Sequence, residues 1–246
     1  MRATATTQPP AATTADTVVI GVFEDEGVAH DLEGAPLAAL LDAGEARRSF
    51  RHLAVTHANG KRWLLIGLGA RDDFDAERAR VAAATAFDRA TDLGSTSLCW
   101  EVPHHVGDEV VGALVEGTAL AGYRFDRHRS KPDESPRLEE LVVSAHEDVS
   151  APVVRATVIA EAVNAARDLQ NAPANELTPA ALADYARTLE GLAVEDEGRE
   201  QIEARGMGAF AAVARGSYED PQLITIAYEP PDFAGPHLVL VGKAVT

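Results

Sequence analysis

The chain has 246 residues, of which 46% are apolar, and its 22 Lys and Arg residues against 39 Asp and Glu residues give a formal charge of −17. The length allows one large domain or two modest ones, and the single cysteine, Cys99, excludes a disulfide framework and every cysteine-based zinc motif. The acidic charge argues against nucleic-acid binding, and no apolar run reaches the ~20 residues of a membrane-spanning helix, so we expect a soluble, cytoplasmic protein.

The first part of the chain alternates strands with helices, which predicts an α/β domain with a mixed sheet at residues 17–149. Residues 1–16 are Thr, Ala and Pro-rich without an apolar segment, and they predict a disordered tail. The elements predicted after this tail are, in chain order, a buried strand at 17–23, a helix at 36–41, a strand at 51–55, a hairpin turn at Asn59-Gly60, strands at 62–67 and 97–102 around a helix at 72–93, a helix from 108, a charged loop at 126–137 broken by Pro132 and Pro136, and a strand at 138–144.

A long helix is predicted to link this domain to the rest of the chain, over residues 150–171. Ser150 is a suitable N-cap, and Pro152 falls in the first turn, where its missing amide hydrogen costs nothing. The predicted apolar stripe of this helix consists of Val154, Val158, Ala162, Ala165 and Leu169.

Residues 172–246 have the pattern of a second α/β domain that is not finished. The predicted elements are a helix at 178–191, a strand at 192–195, a helix that ends near 205, a short helix or turn at 206–214, and strands at 223–228 and 238–241. The last strand, Leu238-Val-Leu-Val241, is fully apolar and therefore belongs in a sheet covered on both faces. Nothing follows that could pair with it or cover it, which predicts the incomplete start of a longer domain.

Two glycine motifs lack residues that phosphate or dinucleotide binding would require. Gly67 and Gly69 suggest a dinucleotide-binding turn, but Asp72 occupies the third glycine position and would repel a pyrophosphate. Gly242-Lys243 resembles the end of a phosphate-binding loop, but Ala244 replaces the hydroxyl residue that should hold magnesium.

The histidines and the cysteine give no catalytic signature in the sequence. The eight histidines do not gather, and the adjacent pair His104-His105 is expected to lie in a solvated loop rather than to bind a metal ion. His146-Glu147 begins a zinc-protease-like string in which Ser150 stands at the position of the second histidine. Cys99 lies in a predicted strand and is expected to be a core residue.

Four segments together resemble the leucyl (cytosol) aminopeptidase family of two-metal peptidases, over its N-terminal half only. They are, in family order, Glu116-Gly-Thr-Ala-Leu-Ala-Gly-Tyr-Arg-Phe125, then Ala166-Arg-Asp-Leu-Gln-Asn-Ala-Pro-Ala-Asn175 with Leu177-Thr-Pro179, then Gly206-Met-Gly-Ala-Phe210 with Val213-Ala-Arg-Gly-Ser217 and Pro221-Gln-Leu-Ile224, and finally Val241-Gly-Lys-Ala-Val-Thr246. The resemblance implies an N-terminal α/β domain, a linker helix and the truncated start of a metallopeptidase catalytic domain.

The resemblance also implies a site residue and a reaction. Lys243 matches the family lysine that binds one of two divalent ions, Mn²⁺ or Zn²⁺, in an enzyme that releases N-terminal amino acids from peptides and forms a homohexamer. A lysine amine can lose its proton to bind a metal ion, which an arginine cannot do. Ala244 departs from the family glycine, and no residue that matches the remaining ligands or the catalytic residues is present.

The missing carboxylates predict that this chain alone has no peptidase activity, because a two-metal centre needs several anionic oxygens. A different class of function stays open beside the truncated enzyme. In that alternative, residues 17–145 form a non-enzymatic α/β module for assembly or regulation.

Overall fold

The computed structural model describes residues 1–131, 137–231 and 233–244, and it divides into two compact units, residues 1–167 and 168–246. Both units combine helices and strands, so the predicted α/β class is confirmed. The predicted chain breaks at Pro132 and Pro136 lie outside the described residues, as do Val245 and Thr246 of the last recognised motif.

The first unit is built on a six-stranded mixed sheet with the order β1-β6-β5-β2-β4-β3. All neighbours are parallel except β3 and β4, which form the hairpin predicted at Asn59-Gly60. Its elements are β1 (Arg2–Thr6), β2 (Thr17–Phe23), α1 (Pro36–Asp42), β3 (Leu53–Ala58), β4 (Lys61–Gly69), α2 (Ala76–Asp92), β5 (Ser97–Glu101), α3 (Asp108–Ala121), β6 (Glu140–Ser144) and α4 (Ser150–Asn171), whose last turn passes into the second unit.

Both faces of this sheet are covered, because successive strand residues point to opposite sides. Val19, Leu64 and Trp100 pack on one face with residues of α2, α3 and α4. Ile20 and Trp63 pack on the other face with residues that include Leu37 of α1. Cys99 belongs to this second cluster and is fully buried, which confirms the expectation of a core cysteine.

The start of the chain differs from the expected disordered tail. Residues 2–6 form the edge strand β1, which pairs in parallel with β6 from Arg2 opposite Glu140 to Thr6 opposite Ser144. The Arg2 amide donates to the Glu139 carbonyl at 2.8 Å. The residues Ala and Thr carry little apolar surface, so the sequence pattern contains no trace of a pairing that spans more than 130 residues.

This pairing predicts slow amide hydrogen exchange at the start of the chain. We expect the amides of Thr4 and Thr6 to exchange at least about 100-fold more slowly than unpaired amides, because alternate amides of a parallel edge strand donate to the neighbouring strand and open only when β1 leaves the sheet. Exchange followed by mass spectrometry on peptides from residues 1–8 measures this protection. Peptides from residues 233–244, which form neither helix nor strand, serve as the unprotected comparison. Equal rates in the two segments would contradict the pairing.

Two helices of the first unit differ in detail from the predictions. Helix α2 begins at Ala76 rather than at Asp72, because the Asp75 side chain caps it by accepting from the Arg78 amide at 2.8 Å. Helix α4 buries Val153, Ala156 and Ala160, whereas Val154 and Val158 of the predicted stripe are about 60% exposed. On this inner face Ala156 lies against α3 beside Gly112.

Gly67 has a structural role that replaces the rejected cofactor role. A Cβ atom at this position would lie 2.1 Å from the Ser49 carbonyl oxygen and 2.6 Å from the Arg47 carbonyl oxygen. The backbone of residues 47–49 therefore packs directly on β4. Only glycine permits this approach at position 67, whereas Gly69 has a left-handed backbone with φ of 76°, which also favours glycine.

The second unit contains α5 (Pro179–Arg187), β7 (Ala193–Glu197), α6 (Arg199–Ala204), α7 (Gly208–Ala214) and β8 (Leu223–Ala227). Strands β7 and β8 form an antiparallel two-stranded sheet. The strand predicted at Leu238–Val241 is wrong: among the described residues this segment joins no sheet, and its four side chains are 77–94% exposed. An apolar segment forms a strand only where another strand satisfies its backbone groups.

Candidate functional site

Lys243, the metal ligand implied by the sequence, lies in an exposed segment of the second unit. Residues 233–244 contain no helix or strand, and the Lys243 side chain is open to solvent. Within the part of the chain that the structure describes, the only group of His, Cys, Asp or Glu residues close enough to hold a metal ion lies in the first unit. The described residues therefore do not provide a complete two-metal centre around Lys243.

The cluster in the first unit consists of His30, His104 and His146. His30 follows β2, His104 follows β5, and His146 follows β6. These three strands are parallel neighbours, so the loops after them leave the sheet at the same edge. In α/β sheets the carboxyl ends of parallel strands are where ligands bind.

The three imidazole rings lie in mutual contact. The Nε2 atoms of His104 and His146 are 3.1 Å apart. The ring centroid of His30 is 5.1 Å from each of the other two, and one ring nitrogen from each histidine lies within 4.8 Å of the others. Neutral imidazole nitrogens so arranged can share a proton or bind a transition-metal ion.

Glu101, the last residue of β5, orients the His30 ring through a hydrogen bond. Glu101 is 7% exposed, and its carboxylate accepts a hydrogen bond from Nδ1 of His30. This contact leaves Nε2 as the free nitrogen of His30. A histidine that binds a metal ion is commonly held by such a carboxylate on its other nitrogen.

Arg71 fixes the backbone of the loop that carries His104. Its guanidinium donates to the His104 carbonyl at 2.8 Å and to the Glu26 carboxylate at 2.7 Å. The same guanidinium stacks on the Phe23 ring at 4.0 Å. A cavity of about 320 Å³ lies beside this group and is bordered by Glu101 and His104. The loop that carries His104 is therefore fixed by Arg71, and a cavity lies beside the cluster.

The surroundings of the cluster favour the uncharged form of the His104 ring. Burial lowers the pKa of His104, and repulsion from His146, His30 and His105 lowers it further. Burial also raises the pKa of the Glu101 carboxyl, although the hydrogen bond with His30 acts in the opposite direction. By contrast, burial raises the pKa of the Cys99 thiol to about 11, so this cysteine is not a thiolate nucleophile near neutral pH.

The interpretation that the histidines do not gather is wrong for these three residues. The adjacent pair does lie in a loop, the one after β5: the ring centroids of His104 and His105 are 6.2 Å apart, and His105 has a left-handed backbone with φ of 57°. The partners of His104 come instead from loops far away in the sequence. The available signal was that His104 and His146 each follow the end of a predicted strand, at residues 102 and 144, by two residues.

The fold defines an α/β protein whose polar side chains meet at the carboxyl ends of parallel strands, and the comparisons with known proteins make the class specific. Residues 19–132 match the N-terminal domain model of the cytosol aminopeptidase family, and residues 164–246 match the catalytic domain model of the same family. The chain belongs to the cytosol aminopeptidase family.

Two curated relatives, both called probable cytosol aminopeptidase, illustrate the match. The protein of Roseiflexus castenholzii is 32% identical over 100% of this chain and 53% of its own length. The protein of Nitratidesulfovibrio vulgaris is 36% identical over 96% of this chain and 52% of its own length. The chain thus spans about half the length of the curated relatives it matches.

Solved structures agree with this assignment. The bottromycin maturation enzyme BotP in complex with Mn is 29% identical, with a TM-score of 0.75 over 89% of this chain and 46% of BotP. A tomato leucine aminopeptidase variant is 21% identical and shares the fold, with a TM-score of 0.79 over 94% of this chain and 51% of that protein. Within the described residues, no helix combines the length and apolarity that crossing a lipid bilayer requires.

Proposed function

We propose that this chain is the N-terminal portion of a metal-dependent leucyl aminopeptidase that releases N-terminal amino acids from peptides. The observation that carries the proposal is the match of two domain models of one family, in family order, over residues 19–132 and 164–246. The names of the relatives support an aminopeptidase of the cytoplasm, and the manganese in BotP supports a divalent ion such as Mn²⁺ or Zn²⁺. The assembly proposed for the whole enzyme is a homohexamer.

Lys243 is the residue we propose as this chain's contribution to the metal centre. An amine binds a metal ion through its lone pair, so the lysine has to lose its proton when the ion binds. The chemistry of the chain supports a special role, because only 3 of its 22 basic residues are lysines. The described residues around Lys243 supply no carboxylate cluster, so the other ligands have to come from residues outside this sequence.

The proposal predicts that the 246-residue chain alone does not hydrolyse leucine p-nitroanilide with Mn²⁺ or Zn²⁺. Activity should appear when the chain replaces the aligned 53% of the Roseiflexus castenholzii relative in a chimaera. In that chimaera Lys243→Arg should lower kcat/KM at least about 100-fold, because arginine keeps the charge but cannot donate a lone pair. Initial rates of p-nitroaniline release measure both effects.

Lys131→Arg is the matched control, since Lys131 is likewise an exposed lysine. It should leave the rate of the chimaera unchanged. Turnover by the isolated chain would refute the proposed dependence on further ligands. An active chimaera that tolerates Lys243→Arg would remove Lys243 from the metal centre.

A further inference from the structure

We propose that the first unit binds one Zn²⁺ ion through His30, His104 and His146, a donor set that does not include Lys243. Three imidazoles are a donor set that zinc prefers, with a fourth position left for water or another small ligand. Imidazole nitrogens also suit Co²⁺, Ni²⁺ and Cu²⁺, whereas Mg²⁺ prefers oxygen ligands.

The distances between the donor atoms fit this assignment. With Zn–N bonds of 2.0–2.1 Å, two nitrogens of a tetrahedral site lie about 3.3 Å apart. The Nε2 atoms of His104 and His146 already lie 3.1 Å apart. The widest separation among the three donor atoms is no more than 4.8 Å, and two of the three residues, His30 and His146, are exposed.

The surroundings of the cluster supply what a histidine site needs beyond its ligands. Glu101 holds His30 through Nδ1, which leaves Nε2 as the nitrogen free to bind an ion. This buried carboxylate also places a negative charge near the proposed cation. Arg71 holds the His104 backbone through the His104 carbonyl, so the loop after β5 is already in place. Glu101 and Arg71 are thus positioning residues for the ligands.

A bound ion would connect the loops that follow three adjacent strands of the sheet. The three ligands sit on the loops that follow β2, β5 and β6, so one ion would join three segments that are far apart in the chain. An ion that binds the folded unit and not the unfolded chain stabilises the folded state by mass action. Zn²⁺ should therefore raise the unfolding midpoint of the first unit.

Isothermal titration of the metal-free 246-residue chain with Zn²⁺ alone tests the proposal. We expect one equivalent to bind, and His30→Ala and His146→Ala each to weaken binding at least about 100-fold. Glu101→Gln should weaken binding about 10- to 100-fold while the stoichiometry stays at one ion. X-ray absorption spectroscopy at the zinc edge of the loaded chain should show imidazole nitrogens at about 2.0 Å from the zinc ion.

Two control variants separate this site from others. His57→Ala removes an exposed histidine of β3 outside the cluster, and Lys243→Ala removes the residue assigned to the aminopeptidase centre. Both should bind Zn²⁺ as the unchanged chain does, so this test is independent of the proposed function. Fluorescence of the buried Trp63 and Trp100 reports whether each variant is folded and whether Zn²⁺ shifts its unfolding.

Equal zinc affinity in the unchanged chain and the folded His146→Ala variant would overturn the proposal. Zinc binding weaker than about 0.1 mM in the unchanged chain would overturn it as well. Displacement of Zn²⁺ by an equal concentration of Mg²⁺ would also contradict the proposal, because Mg²⁺ prefers oxygen ligands to imidazole nitrogens.

Discussion

Gly117→Ala is expected to destabilise the first unit by about 3 kcal/mol, because the added methyl group has no space between α2 and α3. Its Cβ would lie 2.2 Å from the Arg80 carbonyl oxygen and 2.9 Å from the Ala83 Cβ. The nearest atom is backbone, so rotation of a side chain cannot relieve the clash. The two helices would have to move apart, and the alanine-rich face of α2 would lose its contacts.

Gly112→Ala, on the same helix α3, is the matched control for this prediction. Its Cβ would lie 3.6 Å from the Ala156 Cβ, an ordinary contact, so it should gain up to about 1 kcal/mol from helix propensity. The chain has two tryptophans, Trp63 and Trp100, and both lie fully buried in the first unit. Their fluorescence during urea unfolding therefore reports this unit. A Gly117→Ala variant as stable as Gly112→Ala would contradict the close packing of the two helices.

Asp16→Asn is expected to lower the stability of the first unit by about 2 kcal/mol at pH 7, the size of lost hydrogen bonds to a charged group. Asp16 lies just before β2, and one of its carboxylate oxygens accepts from the Thr96 amide at 2.9 Å and from the Ser97 amide at 3.2 Å. The other oxygen accepts from the Thr17 hydroxyl at 2.8 Å. This carboxylate thereby ties the start of β2 to the start of β5.

The effect of Asp16 should depend on pH in a definite direction. Burial raises the pKa of its carboxyl, but the hydrogen bonds from Thr96, Thr17 and Ser97 outweigh this and leave the folded pKa below its usual value. A lowered folded pKa stabilises the protein above the unfolded pKa of about 3.9, and this stabilisation is lost as the pH falls through the folded value.

The stability difference between the unchanged chain and Asp16→Asn should therefore be constant from neutral pH to about pH 5 and shrink below about pH 4. Urea unfolding at a series of pH values, followed by tryptophan fluorescence, measures it. Asp25→Asn, at an exposed carboxylate after β2, is the control and should change stability by less than about 0.5 kcal/mol. A difference that grows towards low pH would show that Asp16 is not stabilised in its charged form.

Local patterns were sufficient for most of the elements of the first unit. The β-branched run at residues 17–23 became β2, and the Asn59-Gly60 turn became the hairpin of β3 and β4. Each of these depends on residues close together in the chain. The failures occurred at β1 and at the predicted strand Leu238–Val241, where the outcome depended on whether a distant strand was available for pairing.

The recognised motif Glu116–Phe125 shows how sequence and structure complement each other. Its residues were sufficient to indicate the family, but they gave no reason for the glycine at 117. The structure supplies the reason, since the α2 backbone passes within contact distance of that position. Helix spacing predicts that a helix has an inner face, whereas the distance to the neighbouring helix is a property of the packed unit.

The sequence by itself determined the α/β class, the family and the chemical reason to single out Lys243, because these depend on residue types and their spacing along the chain. Tertiary structure alone decided that His30, His104 and His146 meet. These residues are brought together by the parallel order β6-β5-β2, which places loops from three distant segments at one edge of the sheet. Strand order depends on long-range pairing and not on local periodicity, so residues assembled by it stay scattered in the sequence.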